Sequence, residues 1–222
     1  MLIVHHLNNS RSQRVLWLLE ELGLPYEIQH YQRDAKTMLA PPELKAIHPL
    51  GKSPVVTDGP VVLAETGAIV ETLVDAYAGG RLRPAAGTED RLRWTYWMHY
   101  AEGSAMPPLL MKLVFEVLPQ RAPFLVKGLV KGIAGAAQSS FIDPQLKAHF
   151  DYWEAELGKS DWFAGSEFSA ADIMMSFPIE AGASRGGALE GRPRLTEYLH
   201  RIHNRPAYRT ALEKGGPYAY AD

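Results

Sequence analysis

The chain contains no cysteine in 222 residues. That excludes disulfides, thiolate metal sites and a cysteine nucleophile, and a disulfide-free chain suits the cytosol. Charge of one sign is also lacking. The 23 Lys and Arg stand against 25 Asp and Glu, a formal net charge of −2. A basic nucleic-acid surface and a polybasic membrane patch are therefore not expected. No apolar run is long enough to cross a bilayer. The most apolar late segment, residues 124–137, is short and is broken by Lys127 and Lys131. The N-terminus enters a short strand directly, without the basic and apolar regions of a signal peptide. His5 and His6 lie in that strand without a third partner at metal-ligand spacing. They read as structural, and no metal is expected.

What is present is a chain with 46% hydrophobic residues, enough for one large core or two small ones. Its most informative stretch runs from His48 to Val70. Val55, Val56 and Thr57 are β-branched, as are Val61 and Val62, and Asp58-Gly59 between them is a hairpin signal. Pro54 sits just before the first of these strands, where a missing N–H does least harm. Glu65-Thr66-Gly67 then opens an apolar helical run. A helix start offers free N–H groups and the positive end of a dipole to an anion. With the Thr66 hydroxyl, the Glu65 carboxylate and the Lys52 ammonium, the stretch can hold a small zwitterion at both ends.

This arrangement resembles the glutathione site of cytosolic glutathione transferases. In that family a cis-proline precedes a strand, and the backbone of the residue before it pairs with the cysteinyl unit of glutathione. An acidic residue followed by Ser or Thr at the start of the third helix holds the γ-glutamyl end. The matching positions are Ser53-Pro54 and Glu65-Thr66, with Ser53 replacing the usual Val or Ile. The resemblance is closest to fungal and bacterial members with Ser-Arg after the first strand. Here it is carried by Ser10-Arg11, Leu16 to Glu20, Arg33 to Ala35, Pro41 to Leu44 and His48 to Gly51. It implies a thioredoxin-like N-terminal domain joined to an all-α bundle, hence an α/β plus all-α fold.

The residue pattern fits that order. Leu2 to Val4 reads as a strand, and Leu7 to Ser12 as a polar turn. Val15, Leu16, Leu18, Leu19 and Leu22 give a helix face stopped by Gly23 and Pro25. Tyr26 to Tyr31 can be a second strand, parallel to the first, and Pro42 to Ile47 a helical crossover. The expected division is residues 1–78 for the N-terminal domain, a Gly- and Pro-rich linker over 79–88, and helices over 89–222. Thr88 can cap the first of these helices and Asp143-Pro144 can start another. Ser169 and Asp172 have capping-box spacing, with Phe168 as the staple residue. Gly128, Gly132 and Gly135 suggest close helix packing.

The implied chemistry needs glutathione as thiolate, with glutathione as co-substrate and no other cofactor. A thiol near pKa ~8.5 is only a few per cent ionised at pH 7, so a donor must favour the anion. Three residues of the turn ahead of the first helix are candidates: Asn9 through its amide, Ser10 through its hydroxyl, Arg11 through its charge. Ser10 or Ser12 could equally serve only to cap that helix. Glutathione binding falls to Lys52, Ser53, Pro54, Glu65 and Thr66. A second, small hydrophobic electrophile would meet an aromatic wall carrying Trp97, His99 and Tyr100, although aromatics at helical spacing more often form core. The resemblance further implies a cytoplasmic homodimer that conjugates glutathione to an electrophile. Glutathione-dependent reduction of peroxides or disulfides is the alternative enzyme reading, and a non-catalytic binding protein the alternative to an enzyme.

Overall fold

The computed structural model describes residues 1–221. Four strands, β1 (Leu2–Leu7), β2 (Tyr26–Tyr31), β3 (Val55–Asp58) and β4 (Val61–Ala64), form one mixed sheet in the order β2-β1-β3-β4. β1 runs parallel to β2 and antiparallel to β3, with Leu2 opposite Tyr26 on one side and Asp58 on the other. The parallel pair needs a crossover, and α1 (Ser12–Leu22) supplies it. α2 (Pro42–Ile47) and α3 (Thr66–Tyr77) complete this part. β1 is longer than its apolar start suggests, because His5 and His6 find partners inside. His5 Nδ1 lies 2.9 Å from the Tyr31 hydroxyl, and His6 Nδ1 lies 2.9 Å from Ser12 Oγ. Burial pushes the His6 imidazole down to about 4, so it stays neutral near pH 7.

The sequence pattern gives α1 one apolar face; the structure buries it nearly all round. Val15, Leu16, Leu18 and Leu19 are buried, and Trp17 on another side packs against Phe168 and Tyr208, with ring centroids 5.5 and 5.1 Å away. Those partners belong to the helical region, so α1 serves two cores at once. α3 sits beside it through Ile69, Val70 and Leu73.

From Glu89 onward the described chain is helical. α4 (Glu89–Tyr100) and α5 (Met106–Arg121) join through a π-helical turn, Ala101–Ala105. Pro107 and Pro108 follow that turn at once. Each lacks an N–H and crowds the carbonyl four residues back, and a π turn is a known way to accommodate the resulting break. The same device recurs before Pro144. α6 (Lys127–Ala137) passes through a π turn, Gln138–Ile142, into α7 (Asp143–Leu157). Asp143-Pro144 therefore marks a bend in a continuous run and not a free helix start. Gly128, Gly132 and Gly135 are not packing glycines, because a Cβ on any of them would meet nothing within 4 Å. α8 (Ala170–Gly186), α9 (Pro193–His203) and α10 (Pro206–Gly215) follow, and α8 is the buried axis of this part.

α8 begins with the capping box. The Ser169 side chain accepts the Ala171 N–H at 3.3 Å. The fully buried Asp172 carboxylate accepts the backbone N–H groups of Ser169 and Phe163, both at 2.9 Å. Removing that carboxylate strands two buried donors. Asp172→Ala should lower unfolding free energy by about 2–5 kcal/mol, and Ser169→Ala by only about 1 kcal/mol. Urea midpoints of the two variants check the ranking; equal losses would mean the box contributes only an ordinary cap.

Candidate active site

The turn between β1 and α1 meets the β3 entry through Ser10 and the helical region through Asn9 and Arg11, while Arg14 of α1 reaches the α3 start. Ser53 lies just before β3, and the Ser53–Pro54 peptide bond is cis. The Ser53 hydroxyl donates to the His5 carbonyl at 3.0 Å and stands 3.4 Å from Ser10 Oγ. Ser10 is buried. Its hydroxyl accepts the Ser12 N–H at 3.2 Å and shares a 2.7 Å hydrogen bond with Ser12 Oγ, which continues to His6. The Ser10 side chain is thus occupied in closing the first turn of α1.

Asn9 is placed differently. Its φ of 48° puts it in the left-handed region, where Asn is tolerated better than most residues. Its Oδ1 accepts the Ala219 N–H at 2.8 Å. A backbone N–H can only donate, so the amide oxygen must face Ala219, and the Nδ2 group has no hydrogen-bond partner among the described residues. Asn9 also borders a depression of about 380 Å³ lined by Gly216, Pro217, Tyr218 and Ala219.

Glu65 caps α3 with φ 68° and ψ 123°. A non-glycine residue held there is costly, and such positions cluster at ligand sites. Its side chain is exposed, as is that of Lys52, while Thr66 beside it is buried. Thr66 Oγ1 accepts from Arg14 Nη2 at 3.4 Å.

Arg14 is a feature that sequence reasoning missed as a participant. Its side chain is 1% exposed, and it donates to the Met174 carbonyl at 2.7 Å and to the Glu102 carboxylate. Arg11 donates to the same carboxylate through Nε at 3.0 Å. Both guanidinium groups lie near the Phe177 ring, at 5.2 and 5.5 Å from its centroid. Desolvation works to raise the Glu102 carboxyl, but Arg14 and Arg11 outweigh it and hold the group below its ordinary value. Two guanidinium groups and one carboxylate leave a single net positive charge at the start of α1. A lone positive residue amid the apolar α1 pattern is a weak sequence signal for Arg14. For Glu102 there is none, since its partners lie 88 and 91 positions away.

The aromatic wall is placed otherwise than expected. Trp97 is 1% exposed and packs on Phe163 and Tyr152 inside the helical core. Tyr100 is buried too, accepting from Trp153 Nε1 at 3.0 Å and bonded to His149. Neither presents a face to a ligand, whereas His99 is exposed. The physical reason is that α4 packs its aromatic side against α8, so these rings fill the bundle. In that helical run it is Glu102, one turn on, that reaches the β1–α1 turn. The aromatic rings near the turn are those of Phe177, Tyr218 and Tyr220. Phe177 and Tyr218 each have their centroid 5.3 Å from that of Tyr220.

A four-stranded mixed sheet with a cis-proline before β3, fused to a helical bundle, defines the transferase-type thioredoxin architecture. Comparison with known proteins agrees. The glutathione S-transferase N-terminal domain model matches residues 10–76, and the C-terminal domain model matches residues 138–206. The chain is 35% identical over 216 residues to glutathione S-transferase 3 of Schizosaccharomyces pombe, covering 96% of this chain and 88% of the relative. It is 34% identical over 220 residues to glutathione S-transferase 1 of Saccharomyces cerevisiae, covering 95% and 94%. A solved glutathione S-transferase from Actinobacillus pleuropneumoniae superposes with a TM-score of 0.80 at 33% identity, covering 100% of this chain and 96% of that one. A sphingomonad glutathione S-transferase, solved in complex with glutathione, shares the fold with a TM-score of 0.73 at 24% identity, covering 96% and 98%. The chain belongs to the glutathione S-transferase family.

The Glu102 pairing has a pH signature. A carboxyl held low in the folded state contributes stability that is complete above its ordinary value of 4.5 and is lost as pH falls through the lower folded value. At pH 7, Glu102→Gln should cost about 2–3 kcal/mol, since it leaves Arg14 buried without its counter-charge. The gap from the parent should close as pH drops below 4.5, as followed by denaturant midpoints. A gap that stays constant down to pH ~3 would mean the loss is one of packing.

Proposed function

We propose that this chain binds glutathione as thiolate between the β1–α1 turn and the start of α3, and conjugates it to small hydrophobic electrophiles. The observation that carries the reading is the convergence of the Asn9 turn, the Ser53–Pro54 entry to β3 and the Glu65-Thr66 start of α3 around one net positive charge. Glu65 is assigned to the γ-glutamyl ammonium, Thr66 and the α3 N-terminus to the neighbouring carboxylate, and the Ser53 backbone beside Pro54 to the cysteinyl unit. Lys52 is assigned to the far carboxylate. Each pairing sets opposite charges or a donor and an acceptor together.

The thiol then points at the β1–α1 turn. Lowering its pKa by roughly two units takes about 2.7 kcal/mol of preferential thiolate binding. Among the described residues Asn9 Nδ2 is the free donor there, and the net charge of the Arg11, Arg14 and Glu102 trio supplies a favourable field. The thiol loses its proton to solvent water, the thiolate attacks an electrophilic carbon to form the C–S bond, and the leaving group departs with the electron pair of the broken bond. The electrophile is assigned to the side formed by Arg11, Phe177 and Tyr220, in place of the α4 aromatics. A carboxamide donor in place of a hydroxyl also suits reduction of peroxides by bound glutathione, the second reading. Activities toward chlorodinitrobenzene and cumene hydroperoxide decide between them.

The working unit is assigned as a cytoplasmic homodimer. Leu92 and Tyr96 on α4, with Leu110, Val114 and Leu118 on α5, recur every four residues and are 45–73% exposed. Such stripes on a folded subunit mark an interface. Light scattering should give twice the 24.7 kDa chain mass.

Two outcomes test the site. In calorimetric titration with reduced glutathione, Glu65→Gln should weaken binding by about 1–2 kcal/mol, and an unchanged affinity would remove Glu65 from the site. Asn9→Asp keeps the acceptor for Ala219 but removes the amide donor, so the bound thiol should ionise at higher pH, read by thiolate absorbance. Ser10→Ala should leave that titration where it is. The reverse pattern would transfer the activating role to Ser10.

A further inference from the structure

The amide orientation that frees Asn9 Nδ2 depends on one backbone N–H, that of Ala219, and Ala219 lies outside any helix or strand. Something must hold it. α10 ends at Gly215, which is seated directly on α1. A Cβ there would stand 2.7 Å from Gln13 Oε1 and 2.9 Å from Leu16 Cδ1, so the close approach requires glycine. Gly216 then turns the chain with φ 83°. Beyond it, residues 217–221 are pinned on both sides of Ala219. Tyr218 Oη donates to Glu180 Oε2 at 2.6 Å, and Tyr220 Oη accepts from Arg185 Nη2 at 2.6 Å.

Glu180 is the deeper anchor. It lies in α8, is 2% exposed, and is met by no lysine or arginine among the described residues. Its carboxylate instead gathers Tyr208 Oη at 2.6 Å, Tyr218 Oη at 2.6 Å and His203 Nε2 at 3.1 Å. Burying a carboxylate is costly unless its lone pairs are met, so these donors and the acceptor hold each other in one arrangement. Tyr208 belongs to α10 and steadies the helix that leads into the segment. Tyr218 belongs to the segment itself and is the residue next to Ala219.

We propose that Glu180 is a positioning residue for the thiol-activating turn. Through Tyr218 it fixes residues 217–221 so that the Ala219 N–H holds the Asn9 amide with its donor toward the sulfur. This rests on the assignment of Asn9 given above. It makes residues 217–221 part of the reaction site, although Glu180 itself is buried in α8. It also separates two hydroxyls that bind the same carboxylate. Losing the Tyr208 hydroxyl loosens α10, whereas losing the Tyr218 hydroxyl loosens the segment that holds Asn9.

The test compares Tyr218→Phe, Tyr208→Phe and Ala219→Pro in the full chain. Ala219→Pro deletes the one N–H at an exposed position and should leave urea stability near that of the parent, so it serves even where a tyrosine variant folds poorly. In Tyr218→Phe and Ala219→Pro the bound thiol should ionise about half a pH unit or more higher, a roughly twofold smaller thiolate fraction at pH 6.5. The turnover number should fall by the same factor there and recover toward pH 9, while the KM for glutathione changes little. In Tyr208→Phe the thiol titration should match the parent. The proposal is overturned if Tyr218→Phe and Ala219→Pro titrate like the parent while Asn9→Asp does not, or if Tyr208→Phe moves the thiol as far as Tyr218→Phe. If Asn9→Asp itself leaves the thiol unchanged, the assignment of Asn9 fails, and the positioning role of Glu180 with it.

Discussion

The fold depends on one buried cation. Arg14 enters α1 among apolar neighbours and is enclosed between the sheet-bearing part and the helical part. A guanidinium cannot shed its charge to relieve burial, so it must be met by acceptors. It reaches one in each direction: the Thr66 hydroxyl at the start of α3, the Met174 carbonyl in α8 and the Glu102 carboxylate after α4. Thus a single side chain relates the helix start proposed for the γ-glutamyl end to the two helices that close the other side. Glu102 is shared with Arg11, so the position of the turn is tied to the same point. A second ion pair at the far end of α1, Arg205 Nε to Glu21 Oε1 at 2.5 Å, does similar work nearer the surface. Both ends of α1 are thus tied to the helical part.

This constraint explains why α1 is both structural and chemical. Its apolar residues serve two cores, and its first turn turns polar groups inward: Ser12, Gln13 and Arg14 are all buried. Polar residues at that depth are useful only where they organise neighbours. Ser12 orders Ser10 and His6, and Arg14 orders Thr66 and Glu102. The two residues of the turn left to face a ligand are then Asn9 and Arg11. Arg11 is paired with Glu102 and is therefore not a free cation.

Much of the first half was legible because its signals are local. The β-branched pairs around Asp58-Gly59 specify a hairpin, and the spacing in Val15 to Leu22 specifies a helix. The Glu65-Thr66 step announces a helix start before the fold is known. Thr88 as a cap, and Ser169 with Asp172 as a box, are local in the same way, since each bond spans three residues or fewer. The second half was less legible for two physical reasons. Pro144 looks like a helix start, but a π turn carries the helix through it, as another does ahead of Pro107 and Pro108. The α4 aromatics have a spacing that a ligand wall and a bundle core share, and only packing against α8 separates the two. Glycines at 128, 132 and 135 likewise promise close contacts that an exposed helix never makes. The pairing of residues across 88 to 210 positions, as of Arg14 with Glu102 and Asn9 with Ala219, leaves no local trace even where one partner stands out.

The absence of cysteine bears on the chemistry that remains. A redox enzyme of this architecture with its own thiol could form a mixed disulfide in its first turn. Here every sulfur chemistry must run through the thiol of the bound tripeptide. The protein's contribution reduces to how strongly it prefers the thiolate and how well it places an acceptor beside it. A carboxamide is a weaker acid than a hydroxyl and cannot be lost to ionisation, so its effect depends almost wholly on orientation. An amide has two similar faces, one useful to an anion and one harmful. In this chain the Asn9 amide is oriented by the Ala219 N–H, in the segment after α10 that Tyr218 ties to the Glu180 carboxylate of α8. A site that relies on an amide therefore needs a long-range partner, which a hydroxyl able to rotate toward its acceptor does not.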